Sequence, residues 1–156
     1  CSRSAQVLAR TPAILDRHRT IELTATDLDP VMVASARRRL ASYGHRVVVS
    51  EADATDLPFD DDHFDTVVSL LMLHHVITWR DALSEAIRVL RPGGTLVGYD
   101  LTDRLTARAV HLVDRSPHQL LAPGELADGL ATAGFSDIHL DAAVLGTVTK
   151  FRARKA

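Results

Sequence analysis

Extended segments alternate with helical ones along most of this chain, and that alternation restricts the fold more than any other feature. The extended segments are residues 21–26, 46–50, 64–70 and 95–99, which are rich in β-branched and aliphatic types. Three consecutive valines at 47–49 predict a strand that is buried on both faces. Strands separated by helices predict an α/β domain with a mostly parallel sheet.

The clearest helix start lies at Asp29 and Pro30. Aspartate is a good N-cap, and proline fits the first helical position because its missing N–H is not needed there. Met32, Ala36 and Leu40 then recur every four residues, which predicts a single buried stripe along the helix.

Boundary signals also occur in the second half of the chain. Thr78 and Asp81 have the spacing of a capping box at the start of a helix. Residues 91–94, Arg-Pro-Gly-Gly, predict a turn, because proline stops a helix and glycine tolerates positive φ. Residues 137–144 and 147–153 predict two strands whose tight connection makes them antiparallel.

The composition is that of an ordinary globular domain. The chain has 156 residues and a formal net charge of −2, so bulk electrostatics favours neither nucleic acid nor an anionic membrane. No apolar run approaches the ~20 residues that a membrane helix needs. The single cysteine, Cys1, excludes an intramolecular disulfide and fits a reducing compartment. We therefore expect a cytoplasmic domain with no nucleic-acid or membrane partner.

Acidic residues follow two of the predicted strands, at the edge where parallel α/β sheets bind their ligands. The carboxylate of Asp27 can accept two hydrogen bonds from the ribose hydroxyls of a nucleoside. Asp53 can accept one from an adenine amino group, while the Ala54 backbone N–H can donate to a ring nitrogen. The alternatives are a second helix cap for Asp27 and, for Asp53, an ordinary loop carboxylate beside Glu51 and Asp56.

Two adjacent histidines, His74 and His75, follow the strand that ends near Leu70. Adjacent side chains point in different directions, so we expect at most one of the two to face a ligand. A histidine that caps the strand and a catalytic histidine are both consistent with this position. His111 and His118 either line a pocket or are exposed. No group of His, Cys and acidic residues has the spacing of a zinc site, so no metal is predicted.

Four motifs occur in an order that resembles a known family. They are the strand end at Asp27, residues 53–59, the run from Phe64 to Val76, and Leu90-Arg91-Pro92-Gly93-Gly94. In this order they resemble the small-molecule type of class I S-adenosylmethionine-dependent methyltransferase. The resemblance implies a Rossmann-like three-layer sandwich with a mostly parallel seven-stranded sheet, roughly in the order 3-2-1-4-5-7-6, and an antiparallel last strand.

The resemblance also implies roles in binding S-adenosylmethionine. Asp27 would hold the ribose, and Leu28 would pack against the adenine. Asp53 and the backbone of Ala54 would read the adenine edge.

Family members place the end of the fourth strand beside the reactive part of the cofactor. By resemblance, Ser69 and Leu70 would lie along the methionine moiety, and His74 or His75 would face the acceptor and serve as the catalytic residue. Residues 101–121 have the variable composition of an acceptor lid.

One family motif is missing from the sequence. The family begins with a strand and a glycine-rich turn, whereas only Cys1-Ser2-Arg3-Ser4 precedes the first predicted helix here. A sheet without its central strand would leave buried backbone groups unpaired. We therefore expect residues 1–156 to be a single S-adenosylmethionine-binding domain that is incomplete at its amino end. The glycine loop is either truncated or degenerate.

The resemblance implies methyl transfer from S-adenosylmethionine to a small-molecule acceptor by direct displacement, with S-adenosylhomocysteine as the product. One alternative is a non-catalytic S-adenosylmethionine-binding or regulatory module of the same fold. Another is a nicotinamide-dependent oxidoreductase, which requires Gly-x-Gly-x-x-Gly in the first turn and a parallel last strand. The predicted terminal hairpin argues against that second alternative. The acceptor and the oligomeric state cannot be read from the sequence.

Overall fold

The structure is a computed structural model that describes residues 12–101, 121–144 and 146–156. These residues form two compact units, which divide between Asp56 and Leu57. The first helix is predicted over residues 4–15, and its residues before 12 lie outside the described residues. His111, His118 and most of the expected acceptor lid lie outside them as well.

The first unit contains a pair of parallel strands and the helix that connects them. Residues 12–17 are helical, and the elements after them are β1 (Leu23–Asp27), α1 (Pro30–Leu40), a 3₁₀ helix (Ala41–Arg46) and β2 (Val47–Glu51). The two strands pair in register from Leu23 opposite Val47 to Asp27 opposite Glu51. Both predicted strands are therefore present, and each extends one residue beyond its predicted carboxyl end.

Helix α1 begins as predicted. Asp29 is its N-cap and accepts a hydrogen bond from the Val31 N–H at 2.8 Å, and proline occupies the first turn. The predicted buried stripe is confirmed at Ala36 and Leu40, but Val33 takes the place predicted for Met32. Val33, Ala36 and Leu40 are buried, whereas Met32 is only half-buried. At 3.6 residues per turn, Val33 lies nearer to the centre of the face that carries Ala36 and Leu40.

The expectation of a strand buried on both faces is wrong for β2. Val48 is 56% exposed, while its neighbours Val47 and Val49 are half-buried. Successive side chains of a strand point to opposite faces, and α1 packs against this two-stranded sheet. The described residues of the first unit therefore leave one face of β2 open to solvent.

The second unit is built on a mixed four-stranded sheet in the order β3-β4-β6-β5. Its elements are β3 (Phe64–Leu70), α2 (Trp79–Val89), β4 (Leu90–Leu101), α3 (Pro123–Thr132), β5 (Phe135–Ala143) and β6 (Val148–Lys155). Strands β3 and β4 are parallel, and β6 is antiparallel to both of its neighbours. The predicted terminal hairpin is thus confirmed.

Two local predictions in the second unit are wrong. Thr78 is the N-cap of α2, but its side chain makes no capping hydrogen bond, because its ψ of 46° lies outside the extended region that a cap requires. Residues 91–94 are not a turn before the strand. They form an irregularity within β4, where pairing moves from Phe64–Leu90 to Thr66–Thr95 and Gly93 adopts a φ of +77°.

The core of the second unit lies where α2 and α3 pack on the sheet and on each other. Trp79, the first residue of α2, is 1% exposed, and Leu96, Leu130 and Phe151 are buried with it. Six described strands in two sheets make the chain an α/β protein, while the full seven-strand order stays a prediction. Among the described residues, no helix is long and apolar enough to cross a membrane.

Candidate active site

In the first unit, the loops that follow β1 and β2 leave the sheet at the same edge. Asp27 is half-buried at the end of β1, and its backbone oxygen accepts from the Ala52 N–H at 3.2 Å. The Oδ1 atom of Asp27 accepts from the Asp29 N–H at 2.9 Å, which fixes the carboxylate at the strand end. Leu28 is 62% exposed. The predicted ribose and adenine contacts of this loop therefore lie on an accessible edge.

The Asp53 carboxylate is ordered by its own loop. Its Oδ1 atom accepts from the Thr55 backbone N–H at 2.9 Å and from the Thr55 hydroxyl at 2.8 Å. The backbone hydrogen bond, followed by the hydroxyl, lowers the pKa of Asp53 below its usual range. Asp53 is exposed and Ala54 half-buried. The first unit thus brings an ionised acceptor, Asp53, and a neighbouring backbone donor to the edge that carries Asp27.

In the second unit, Ser69 and Leu70 end β3. Ser69 is 7% exposed, and its hydroxyl has no hydrogen-bond partner within the described part of the chain. It pairs with Gly98 of β4, where an added Cβ would lie 2.1 Å from the Ser69 backbone oxygen. Because glycine has no Cβ, the backbones of Ser69 and Gly98 can approach closely. Ser69 is buried at this point, while Leu70 is half-buried.

The chain reverses direction directly after β3. Leu71 has a φ of +52°, a left-handed conformation that is uncommon for a residue with a Cβ, and its N–H donates to the Tyr99 backbone oxygen at 2.8 Å. A short 3₁₀ helix, Leu73–His75, follows. This reversal brings the two histidines to the carboxyl end of β4. Strained backbone of this kind is concentrated at functional sites.

The two histidines have different environments, as their adjacency predicts. His74 is fully buried, and its Nδ1 atom is hydrogen-bonded to Oδ1 of Asp100. His75 is exposed, and its ring centroid lies 4.0 Å from that of His74. The buried carboxylate also accepts from the Leu73 N–H at Oδ2 and from the Leu101 N–H at Oδ1, both at 2.7 Å.

The sequence reasoning missed Asp100. An acidic residue at the end of a predicted parallel strand is the signal that singled out Asp27, and the same rule would have found Asp100 beyond Tyr99. The buried polar residues of the described chain are all in the second unit: Ser69, His74, Asp100 and Thr149. Thr149 pairs with Asp100 across β4 and β6.

The arrangement around Asp100 supports proton transfer. A neutral imidazole that donates its Nδ1 proton to a carboxylate carries its lone pair on Nε2, the atom that can accept a proton. The described residues contain no group of three or more His, Cys, Asp or Glu side chains that could hold a metal ion.

Two curated relatives of similar sequence are named as quinone methyltransferases. A demethylmenaquinone methyltransferase of Clavibacter sepedonicus is 48% identical over 75 residues, which are 48% of this chain and 30% of the relative. A ubiquinone/menaquinone biosynthesis C-methyltransferase of Geotalea daltonii is 32% identical over 94 residues, 59% of this chain and 37% of the relative. The matched segments thus span about a third of the length of these relatives.

A solved structure and a family model complete the comparison. The solved structure of a SAM-dependent methyltransferase from Thermotoga maritima matches 84% of this chain and 72% of its own length, with a TM-score of 0.71 and 21% identity. That likeness shows a shared Rossmann-like α/β fold. The family model of the methyltransferase domain matches residues 8–98, more than half of the chain. The chain therefore belongs to the methyltransferase domain family, within the class I S-adenosylmethionine-dependent methyltransferases.

Proposed function

We propose that the protein transfers a methyl group from S-adenosylmethionine to a small-molecule acceptor by direct displacement. The observation that carries the proposal is the family match over residues 8–98, which includes both strand ends of the first unit and the end of β3. The sulfonium group already makes the methyl carbon electrophilic. The protein therefore has to align the reactants, hold them close and exclude water. In this proposal, residues 1–156 belong to one cofactor-binding domain.

The first unit supplies the nucleoside contacts in this proposal. Asp27, already fixed by the Asp29 N–H, accepts from the ribose hydroxyls, and the exposed Leu28 packs on the adenine. Asp53, which is ionised at neutral pH, accepts from the adenine amino group, and the Thr55 hydrogen bonds lower its pKa below its usual range. The Ala54 N–H donates to a ring nitrogen. The ordered carboxylates and the exposure of Leu28 support these assignments.

The second unit supplies the contacts to the methionine part and to the acceptor. Ser69 and Leu70 lie beside the methionine moiety in this proposal, and the buried Ser69 hydroxyl offers an uncommitted donor and acceptor. His74 or His75 faces the acceptor. His74 is the stronger candidate for a catalytic base because Asp100 orders its ring, whereas His75 is exposed.

The names of the curated relatives favour an acceptor that is methylated at carbon. An electron-rich ring carbon, such as that of a reduced demethylmenaquinone, would attack the methyl group. The new carbon–carbon bond takes its electron pair from the ring, and the carbon–sulfur bond breaks to leave S-adenosylhomocysteine. The ring then regains its aromatic electrons by losing the proton at the attacked carbon. That last proton needs an acceptor, which is the role open to a histidine.

Calorimetry and a turnover assay on the full-length protein test this function. We expect S-adenosylhomocysteine to bind, and demethylmenaquinol to gain a labelled methyl group from S-adenosyl-[methyl-¹³C]methionine. Replacing His74 by alanine should lower turnover by about 10²–10⁴-fold, the usual contribution of a general base, with little change in cofactor affinity. Binding without methylation of this or any related quinol would favour the non-catalytic module. No binding at all would contradict the proposal.

A further inference from the structure

Three nitrogen atoms converge on one buried carboxylate in the second unit. Asp100 is 2% exposed at the carboxyl end of β4, and it is hydrogen-bonded to Nδ1 of His74 and to the backbone N–H groups of Leu73 and Leu101. The two backbone groups can only donate, so each oxygen of Asp100 accepts at least one N–H. Two fixed donors favour the ionised carboxylate, which accepts at both oxygens.

These contacts define both the position and the proton of the His74 ring. An ionised Asp100 can only accept, so its hydrogen bond to Nδ1 requires the ring proton of a neutral imidazole on Nδ1 and the lone pair on Nε2. Oδ2 accepts from the backbone of the preceding residue, Leu73, at 2.7 Å. Because one carboxylate holds the ring and the backbone beside it, the ring cannot rotate without breaking a buried charge-assisted hydrogen bond.

We propose that Asp100 is a positioning residue for methyl transfer, which holds His74 as the Nδ1–H tautomer so that Nε2 can take the proton that the acceptor loses. This inference rests on the proposed function. In the step itself, the acceptor's bond to hydrogen breaks and a bond from Nε2 to hydrogen forms. The resulting imidazolium is stabilised by the adjacent carboxylate, which is buried and therefore poorly screened.

The competing explanation is that Asp100 only joins the end of β4 to the segment after β3. The backbone bonds to Leu73 and Leu101 would serve that purpose without the histidine. If Asp100 is only structural, its removal should lower stability and should weaken cofactor binding together with turnover. If Asp100 positions His74, its removal should change the tautomer of His74 and lower turnover while cofactor binding stays intact.

The test measures the tautomer directly in the full-length protein. ¹⁵N-histidine labelling gives the protonation of each ring nitrogen, and the His74 signals are assigned by their loss in His74→Gln. We expect a single Nδ1–H tautomer in the wild type and a mixture of both tautomers in Asp100→Ala. Wild-type His74 with its proton on Nε2 would overturn the inference, whether or not Asp100→Ala folds.

The kinetic part of the test uses S-adenosylmethionine and demethylmenaquinol. Asp100→Ala should lower kcat by about 10²-fold or more while the Kd for S-adenosylhomocysteine stays nearly constant. Asp141→Asn, an exposed carboxylate on β5, is the matched control and should match the wild type. An Asp100→Ala variant that keeps the pure Nδ1–H tautomer or the wild-type kcat would overturn the inference. A wild type with the expected tautomer but no turnover would instead contradict the proposed function.

Discussion

Asp27 and Asp29 are two residues apart, and the structure gives their carboxylates different partners. Asp29 accepts from the Val31 N–H and starts α1, while Asp27 accepts from the Asp29 N–H at the end of β1. In the full-length protein, Asp27→Ala should weaken S-adenosylhomocysteine binding by about 1.5–3 kcal/mol, the range for hydrogen bonds to a charged group. The reason is that the proposed ribose contacts depend on that carboxylate.

Asp29→Ala is the matched control, because it removes a helix cap on the same loop. It should lower the free energy of unfolding by about 1 kcal/mol and leave the affinity nearly unchanged. Calorimetry gives the affinities and denaturant titration gives the stabilities. Equal affinity in the wild type and Asp27→Ala would show that the ribose does not bind at this strand end.

At the residue scale, the type of a residue predicts its place at the end of a strand better than it predicts its burial or its contacts. The rule that acids at strand ends bind ligands selects Asp27 and Asp53 from the sequence alone, and applied to the strand before it the same rule points to Asp100. No comparable rule tells His74 from His75. Their burial depends on the reversal at Leu71, and a leucine gives no signal that its φ will be positive.

Helix α3 packs closely on α2 because one of its residues is glycine. A Cβ at Gly129 would lie 2.4 Å from the Trp79 ring, which is 1% exposed and has no room to move. Overpacking in Gly129→Ala should therefore cost about 1–3 kcal/mol of unfolding free energy. The higher helix propensity of alanine offsets at most about 1 kcal/mol of that cost, so the expected net loss is up to about 2 kcal/mol.

Gly124 in the first turn of the same helix is the control. A Cβ there meets nothing within 4 Å, so Gly124→Ala should be neutral or slightly stabilising. Denaturant titrations should thus show that Gly129→Ala is less stable than the wild type and that Gly124→Ala is at least as stable as the wild type. A Gly129→Ala variant as stable as Gly124→Ala would mean that the contact with Trp79 does not limit the packing of the two helices.

At the element scale, segments with regular periodicity were predictable and segments with irregular backbone were not. The strand Phe64–Leu70 has its predicted bounds, and helix α1 starts at its predicted cap. The capping box at Thr78 fails because a residue type does not fix ψ. Residues 91–94 contain proline and glycines, which signal a departure from regular structure but not whether it is a turn or a bulge within a strand.

Long-range pairing lies beyond what local patterns can specify. The antiparallel hairpin was predictable because its two strands are joined by a short connection. The insertion of β6 between β4 and β5 brings together residues about fifty positions apart, such as Asp100 and Thr149. It was expected only through the resemblance to a family. Single residues determine where helices and strands begin and end. The order of the strands depends on burying all of the strands at once.

The pH dependence of stability in the second unit should follow the pair of Glu85 and Arg88. The hydrogen bond from Arg88 is the largest cause that lowers the pKa of Glu85 below its usual value of 4.5. Arg88 also donates to the backbone oxygens of Leu57 and Phe59, and to Asp61 at 2.8 Å. This Arg88 cluster therefore attaches the segment before β3 to helix α2.

The lowered pKa of Glu85 determines how the stability of the fold changes with pH. A carboxylate whose pKa is lower in the folded state stabilises the fold at pH values above its unfolded pKa. That stabilisation is lost as the pH falls through the folded pKa.

Glu85→Gln should cost about 1–2 kcal/mol of unfolding free energy at neutral pH, because both partners are partly exposed. It should cost progressively less as the pH falls below 4.5 and through the lower folded-state pKa, because the wild type then loses the same interaction. Denaturant titrations from pH 7 to pH 3 give the two curves, which should converge at acid pH. Glu51→Gln, on an exposed residue of β2, should run parallel to the wild type. Parallel curves for Glu85→Gln as well would show that the Arg88 cluster does not control the acid stability of the molecule.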